Sequence, residues 1–186
     1  MRIDASGNWL LDARQAPTPN CDERPDGDDI SLILIHGISL PPGEYGGGWI
    51  DDLFSNRLDP NAHPYFAGIA HLRVSSHLLI RRDGEVVQYV PFPKRAWHAG
   101  ESCYQGRNCC NDYSIGIELE GQDDEPYTTE QYDQLAGIIQ ALMRTFTGVT
   151  IDRISGHSDI APGRKSDPGA AFDWRVLNAR LAAMLT

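Results

Sequence analysis

The hydrophobic pattern changes period several times along the chain, and each change marks an element. Ser31-Leu32-Ile33-Leu34-Ile35-His36 holds an unbroken apolar run from Leu32 to Ile35. Such a run predicts a strand buried on both faces, which delivers His36 at its C-terminal end just before Gly37. Ser114-Ile115-Gly116-Ile117-Glu118-Leu119-Glu120-Gly121 alternates, which predicts a strand with Glu118 and Glu120 on one face and Ile117 and Leu119 on the other. Residues 71–80 and 85–90 flank Arg82-Asp83-Gly84, the strongest hairpin signal in the chain. Helical spacing enters at Trp49, Ile50, Leu53 and Phe54, a short helix before the Asp59-Pro60-Asn61 turn. It returns after Thr128-Thr129-Glu130-Gln131, a capping box that opens a helix with Tyr132, Leu135, Ile138, Ile139, Leu142 and Phe146 along one stripe. Thr150 to Ile154 predicts a further short strand running into His157, and Trp174, Val176, Leu177, Leu181 and Leu185 mark a last helix. Strands alternating with helices, and one hairpin, predict an α/β domain with a mixed central β-sheet flanked by helices.

Composition narrows this picture. A chain of 186 residues with 41% hydrophobic content is expected to form one domain with a sizeable core, residues 1–29 forming an irregular arm rich in Pro, Asp and Asn laid across it. The formal net charge of -10 argues against nucleic acid and anionic membrane partners, which need a basic face, and points to a small-molecule partner and a monomer. Neither the first residues nor any later run reads as a signal-peptide core or a membrane span, so a cytoplasmic location is expected. Cys21, Cys103, Cys109 and Cys110 form no CxxC pair and are expected as free thiols. Cys103 near His98, with Arg107 to lower the thiol pKa, is the nucleophile alternative, and it ranks low.

The candidate chemistry lies in Gly156-His157-Ser158-Asp159-Ile160-Ala161-Pro162-Gly163-Arg164-Lys165-Ser166-Asp167-Pro168-Gly169, too polar for a core and too rich in breakers for a helix. His157 and Asp167 are ligand types for a catalytic zinc, which takes three protein ligands and keeps one position open, and His36 at a strand end supplies a third. Spacing alone equally allows a capped core histidine and a loop-capping carboxylate. Glu118 is the candidate general base, with Glu120 a structural acid behind it, although an exposed edge strand with two solvated acids fits the same pattern. Trp97 and His98 suit stacking on a sugar or packing a peptide stem, and Arg73 suits a substrate carboxylate. His63, His71 and His77 read as hydrogen-bonded structural residues.

The segments "ISLPPGEYGG", "DPNAHPYFAGIAHLRVSSHLLIRRDGEVVQYVPF", "KRAWHAG", "CNDYSIGIELEG" and "GHSDIAPGRKSDPG" carry a resemblance that spans about Trp9 to Trp174. The chain resembles the zinc-dependent N-acetylmuramoyl-L-alanine amidase type 2 family, whose fold peptidoglycan-recognition proteins share, and most closely its cytosolic 1,6-anhydro-muropeptide members. The resemblance implies zinc ligands at His36, His157 and Asp167, one zinc per chain, a catalytic glutamate at Glu118 and a transition-state lysine at Lys165. It implies hydrolysis of the amide between N-acetylmuramic or 1,6-anhydro-N-acetylmuramic acid and L-alanine in a muropeptide, during cell-wall recycling in a bacterial cytoplasm. Gly37 and Cys109 depart from the pattern, which commonly has Asn and Arg there. A non-catalytic muropeptide receptor of the same fold is the rival reading; a zinc peptidase of another fold lacks its HExxH helix.

Overall fold

A sheet whose central strands are apolar on both sides must be covered twice, and this chain covers one face with two long helices and the other with loops and one short helix. The structure, a computed structural model describing residues 1–184, contains β1 (Arg14–Gln15), β2 (Cys21–Glu23), β3 (Leu32–Ile38), α1 (Trp49–Phe54), β4 (Leu78–Ile80), β5 (Val86–Gln88) and β6 (Lys94–Ala96). It continues through β7 (Cys103–Tyr104), β8 (Arg107–Asn108), β9 (Ser114–Glu120), α2 (Thr129–Thr145), β10 (Ile154–Gly156), α3 (His157–Ile160) and α4 (Trp174–Met184). Leu185, assigned above to the last helix, lies outside the described residues.

Six strands form the main sheet in the order β1-β5-β4-β9-β3-β10. Only β4 and β5 pair antiparallel within it; the other neighbours run parallel, so the sheet is mixed. Residues 1–29 supply β1 along β5, and β2, which pairs antiparallel with β6 in a separate ribbon.

Alternation along the strands sorts the two faces. Ile33 and Ile35 of β3, Ile115, Ile117 and Leu119 of β9, and Leu78 and Ile80 of β4 join one cluster with Leu135, Ile138 and Ile139 of α2 and Leu177 of α4. Each such fully buried aliphatic side chain contributes about 1.5–3 kcal/mol. Leu32 and Leu34 point the other way, into a smaller cluster with Tyr113 and Ile160, while Leu79 and Val87 meet Leu53 and Phe54 of α1. On that second face, between its two clusters, lie the side chains of His36 and Glu118, with Gly116 leaving room for the His98 ring.

The capping box expected at the start of α2 is formed: the Thr128 hydroxyl accepts from the Gln131 N–H, and the Gln131 side chain accepts from the Thr128 N–H. The hairpin also forms, with Gly84 at φ +87°, where only glycine is unstrained. Its strands are shorter than the pattern suggested, because residues 71–76 leave the ladder, and the Ser75 N–H donates to the carbonyl of Trp97 instead. The strand expected at 150–154 begins only at Ile154. The Thr150 hydroxyl donates to the Asp152 carboxylate and the Arg153 N–H returns to the Thr150 carbonyl, so turn chemistry holds the preceding residues. His157–Ile160, expected to be too broken for a helix, makes one helical turn.

His77 joins three strands at the edge of this arrangement. Its N–H donates to the Gly116 carbonyl, its Nδ1 accepts from the Gly116 N–H at 3.0 Å, and its Nε2 donates to the Lys94 carbonyl at 3.0 Å. Burial, and then the nearby Arg24 charge, hold this imidazole well below its ordinary value of 6.5. An unfolded chain therefore takes up a proton below pH 6.5 that the folded one refuses, so stability is fully present above that pH and is lost as pH falls. Denaturant unfolding of the metal-free protein between pH 7 and 5 is expected to include a slope from this group that grows as pH falls through 6.5 and approaches about 1.4 kcal/mol per pH unit near pH 5. The variant His77→Asn should show that much less slope over the same range.

Candidate metal centre and active-site cavity

The parallel pairing of β3 with β9 sets His36 directly beside Glu118 at the C-terminal ends of both strands. β10 lies on the other side of β3, and its end leads straight into His157. This is the end of an α/β sheet where sites collect, because side chains on rigid strands meet loops that can close over them. The loop after α3 then returns: the Ser158 N–H donates to the Asp167 carbonyl, and Lys165 N–H to the Ala161 carbonyl. That return brings Asp167 onto the two imidazoles.

His36, His157 and Asp167 each offer one donor atom, all within 4.8 Å of one another. The separations are 2.9 Å between the two Nδ1 atoms, 3.2 Å from His36 Nδ1 to Asp167 Oδ2, and 3.0 Å from His157 Nδ1 to the same oxygen. A tetrahedral ion with bonds of ~2.0–2.1 Å needs donors about 3.3 Å apart, so the set fits zinc with little movement. Burial, aided by the fields of His157 and Lys165 and opposed by Asp167, pushes His36 down to about 4, leaving a neutral imidazole with a free lone pair. Burial pushes Asp167 up, but hydrogen bonds from His157 and His36 outweigh it and hold the carboxylate well below its usual range. Each imidazole uses its far nitrogen elsewhere: His36 Nε2 meets His98 Nδ1 at 2.9 Å, and His157 Nε2 meets the Ala99 carbonyl at 3.2 Å.

Glu118 stands beside this cluster in a different condition. Its Oε2 is buried with no hydrogen-bond partner, which is rare for a carboxylate. Burial, then the negative Asp167, push its pKa well above 4.5, with Lys165 pulling the other way. Ile115 and Ile117 face α2 on the other side of the sheet, and the low-dielectric setting of Glu118 comes from its position between β3 and β4. The edge-strand alternative is excluded, since every residue of β9 is buried. Glu120, two positions on, is fully partnered: it meets Arg81 at 3.4 Å and accepts from the N–H groups of Gly46 at 2.7 Å and Arg82 at 3.2 Å.

A cavity of about 770 Å³ opens over the cluster, lined by His36, His157, Asp167, Glu118 and Lys165 and, on an apolar side, by Trp97, Leu72 and Phe54 among others. Trp97 holds its ring in place by donating from Nε1 to Asp22. His98 also lines the cavity, but its ring is turned inward against His36, so it is not free to meet a substrate as expected. Arg73, expected to grip a substrate carboxylate, does not line the cavity: it is exposed and donates to the carbonyls of His71 and Leu72. All four cysteines are free thiols, and Cys103 lines a separate groove from the cavity that holds His98.

Comparison with known proteins decides the family. The profile of N-acetylmuramoyl-L-alanine amidase matches residues 26–170. The chain belongs to the N-acetylmuramoyl-L-alanine amidase family. It is 61% identical to the 1,6-anhydro-N-acetylmuramyl-L-alanine amidase AmpD of Citrobacter freundii over 178 residues, which is 96% of this chain and 92% of that one. It superimposes on a crystal structure of a selenomethionine AmpD derivative with a TM-score of 0.94, at 59% identity, over 97% of this chain and 99% of that one. It also matches the N-acetylmuramyl-L-alanine amidase AmiD from E. coli in complex with its substrate anhydro-N-acetylmuramic acid-L-Ala-D-gamma-Glu-L-Lys. That match has a TM-score of 0.59 at 27% identity, and covers 96% of this chain and 65% of that one.

Of the two departures from the amidase pattern, Gly37 has a steric partner. A Cβ there would collide with the Tyr127 hydroxyl, which instead donates at 2.9 Å to the carbonyl of Pro168, next to Asp167. Tyr127 was not singled out from the sequence; the signal available was an aromatic residue directly before the α2 capping box. Cys109 lies exposed at φ +60° after β8, away from the main cavity. The two acids of β9 should separate cleanly in stability. Glu120→Ala leaves the N–H groups of Gly46 and Arg82 without their acceptor, while Arg81 keeps Asp51 and Glu85, and is expected to cost about 1–3 kcal/mol in denaturant unfolding. Glu118→Gln, which replaces an unpartnered carboxyl by a neutral isostere, should unfold at the wild-type midpoint or above it; a large loss there would mean that Glu118 is a structural group.

Proposed function

We propose that the chain is a zinc-dependent amidase that cleaves the bond between 1,6-anhydro-N-acetylmuramic acid and L-alanine in muropeptides, in the recycling of cell-wall fragments in a bacterial cytoplasm. The observation that carries this reading is an unpartnered buried carboxyl, Glu118, facing the same cavity as three convergent metal donors. The AmpD and AmiD relatives supply the substrate class, through their names and the anhydromuropeptide bound to AmiD. The residues 1–186 act as one amidase domain, the first 29 laid on it, and as a monomer. No helix among the described residues is long and apolar enough to cross a membrane.

His36, His157 and Asp167 would hold one zinc ion, which when bound supplies Lewis acidity for the carbonyl and a lowered pKa for water. Glu118 does the proton work. Its Oε2 takes the proton of the attacking water and delivers it to the departing amine, and a raised pKa suits a group that must both accept and release it. Lys165, two residues before Asp167, lines the cavity and stabilises the oxyanion as negative charge develops, an interaction made mainly in the transition state. Trp97 and the apolar wall position the sugar or peptide by excluding water. A non-catalytic receptor would gain nothing from a buried acid without a partner, and so this reading is preferred to it.

Metal analysis of the purified protein is expected to give one zinc per chain. His36→Ala, His157→Ala and Asp167→Ala should lose zinc and activity together, while His71→Ala keeps both. With zinc confirmed, Glu118→Ala should lower kcat by ~10²–10⁴-fold, and Lys165→Ala by ~10²–10³-fold with little change in substrate affinity. Mass spectrometry should find free L-alanine-terminated peptide and anhydromuramic acid as products; intact anhydromuropeptide after incubation with zinc-loaded enzyme would overturn the assignment.

A further inference from the structure

The two imidazoles of the ligand set are supported from behind by consecutive residues of one loop. His36 Nε2 meets His98 Nδ1 at 2.9 Å, with the rings edge-on at 89° and centroids 5.0 Å apart. His157 Nε2 meets the carbonyl of Ala99, the next residue, at 3.2 Å. A single side chain fixes both of these positions. Asn111 Oδ1 accepts from the N–H of His98 at 3.1 Å and from the N–H of Ala99 at 2.8 Å. Space is reserved for the His98 ring as well: a Cβ on Gly116 would come within 2.5 Å of it. The far side of the ring, Nε2, faces Ser114 Oγ at 3.4 Å.

We propose that Asn111 and His98 are positioning residues for the metal site, Asn111 clamping the 98–99 peptide so that His98 and Ala99 together fix the tautomer and direction of both metal-binding imidazoles. The hydrogen-bond logic is directional. An imidazole that gives its Nδ1 lone pair to a metal carries its proton on Nε2, and that proton needs an acceptor. Ala99 provides a carbonyl, which can only accept. His98 provides Nδ1, and it does so only in the tautomer whose own Nε2–H points to Ser114. This assignment replaces the expectation that His98 contacts substrate. It rests on the zinc reading of the site given above.

The test is zinc affinity, measured on the full chain by competition with a chelator of known strength, beside thermal unfolding of each metal-free protein. Loss of a supporting hydrogen bond behind a ligand is expected to weaken zinc binding by ~10–100-fold. His98→Phe, which keeps a ring but no acceptor, and Asn111→Ala, which releases the clamp, should both show it. His98→Asn, with an oxygen near the Nδ1 position, and Asn111→Asp, which keeps an acceptor, should recover most of the affinity. In the zinc-loaded wild type, nitrogen-detected NMR should find a slowly exchanging His36 Nε2 proton, which His98→Phe should expose to solvent exchange. Wild-type affinity in His98→Phe and Asn111→Ala would overturn the proposal, as would losses in zinc affinity that only follow losses in metal-free stability and are not recovered by the conservative variants. Failure of the wild type to bind zinc would instead remove the reading of the site on which the proposal stands.

Discussion

The register between β3 and β9 is the constraint from which the site follows. Seven consecutive pairings run from Leu32 opposite Ser114 to Ile38 opposite Glu120, and they leave His36 opposite Glu118. A slip of one residue would turn either side chain through the sheet into the α2 face, where Ile35 and Ile117 now sit. The apolar face therefore enforces the polar one. Burial of the isoleucines against α2 and α4 holds the register, and the register holds a metal-type ligand beside a carboxyl across adjacent strands.

Electrostatics sets the cost of each charge in the site. His36, which burial holds neutral, lies beside an ionised Asp167 and a buried Glu118 in a region where burial disfavours every charge. Asp167 keeps its charge with the two imidazole Nδ1 atoms 3.2 and 3.0 Å from its Oδ2; Glu118 has no such neighbour, and burial holds its pKa well above 4.5. A divalent ion held by His36, His157 and Asp167 would supply positive charge beside Glu118 and lower the cost of its ionised form. Lys165, exposed at the side of the cavity, brings a positive charge that solvent screens. Glu120 shows the contrast within one strand. It has an arginine and two backbone donors, and so it serves the fold.

Local signals in the sequence were sufficient for the elements and for the ligand types. The run Leu32 to Ile35, the Thr128 capping box and the Arg82-Asp83-Gly84 turn each act over a few residues, so a single sequence carries them. The convergence of His36 with His157 and Asp167, which lie 121 and 131 residues away, is not a local property, and only the family resemblance indicated it. The face shared by Glu118 and Glu120 was legible from alternation. Its burial was not, because it depends on β4 and β3 flanking β9. The partners of Arg73 and His98 were not legible either: Arg73 finds acceptors in its own neighbours, and His98 finds its partner 62 residues away. Residues 150–153 read as strand because their β-propensity was weighed without the Thr150 to Asp152 turn bond.

The central claim, that two imidazoles and one carboxylate bind a catalytic zinc with one position left open, is tested most directly by zinc K-edge X-ray absorption on the loaded protein. The account predicts a single shell of four nitrogen and oxygen scatterers at ~2.0–2.1 Å, with the outer-shell scattering of two imidazole rings. Loss of one imidazole contribution in His157→Ala would accompany it. A sulfur scatterer at ~2.3 Å, which would move the metal to the cysteines, or a closed shell with no water oxygen, would contradict it.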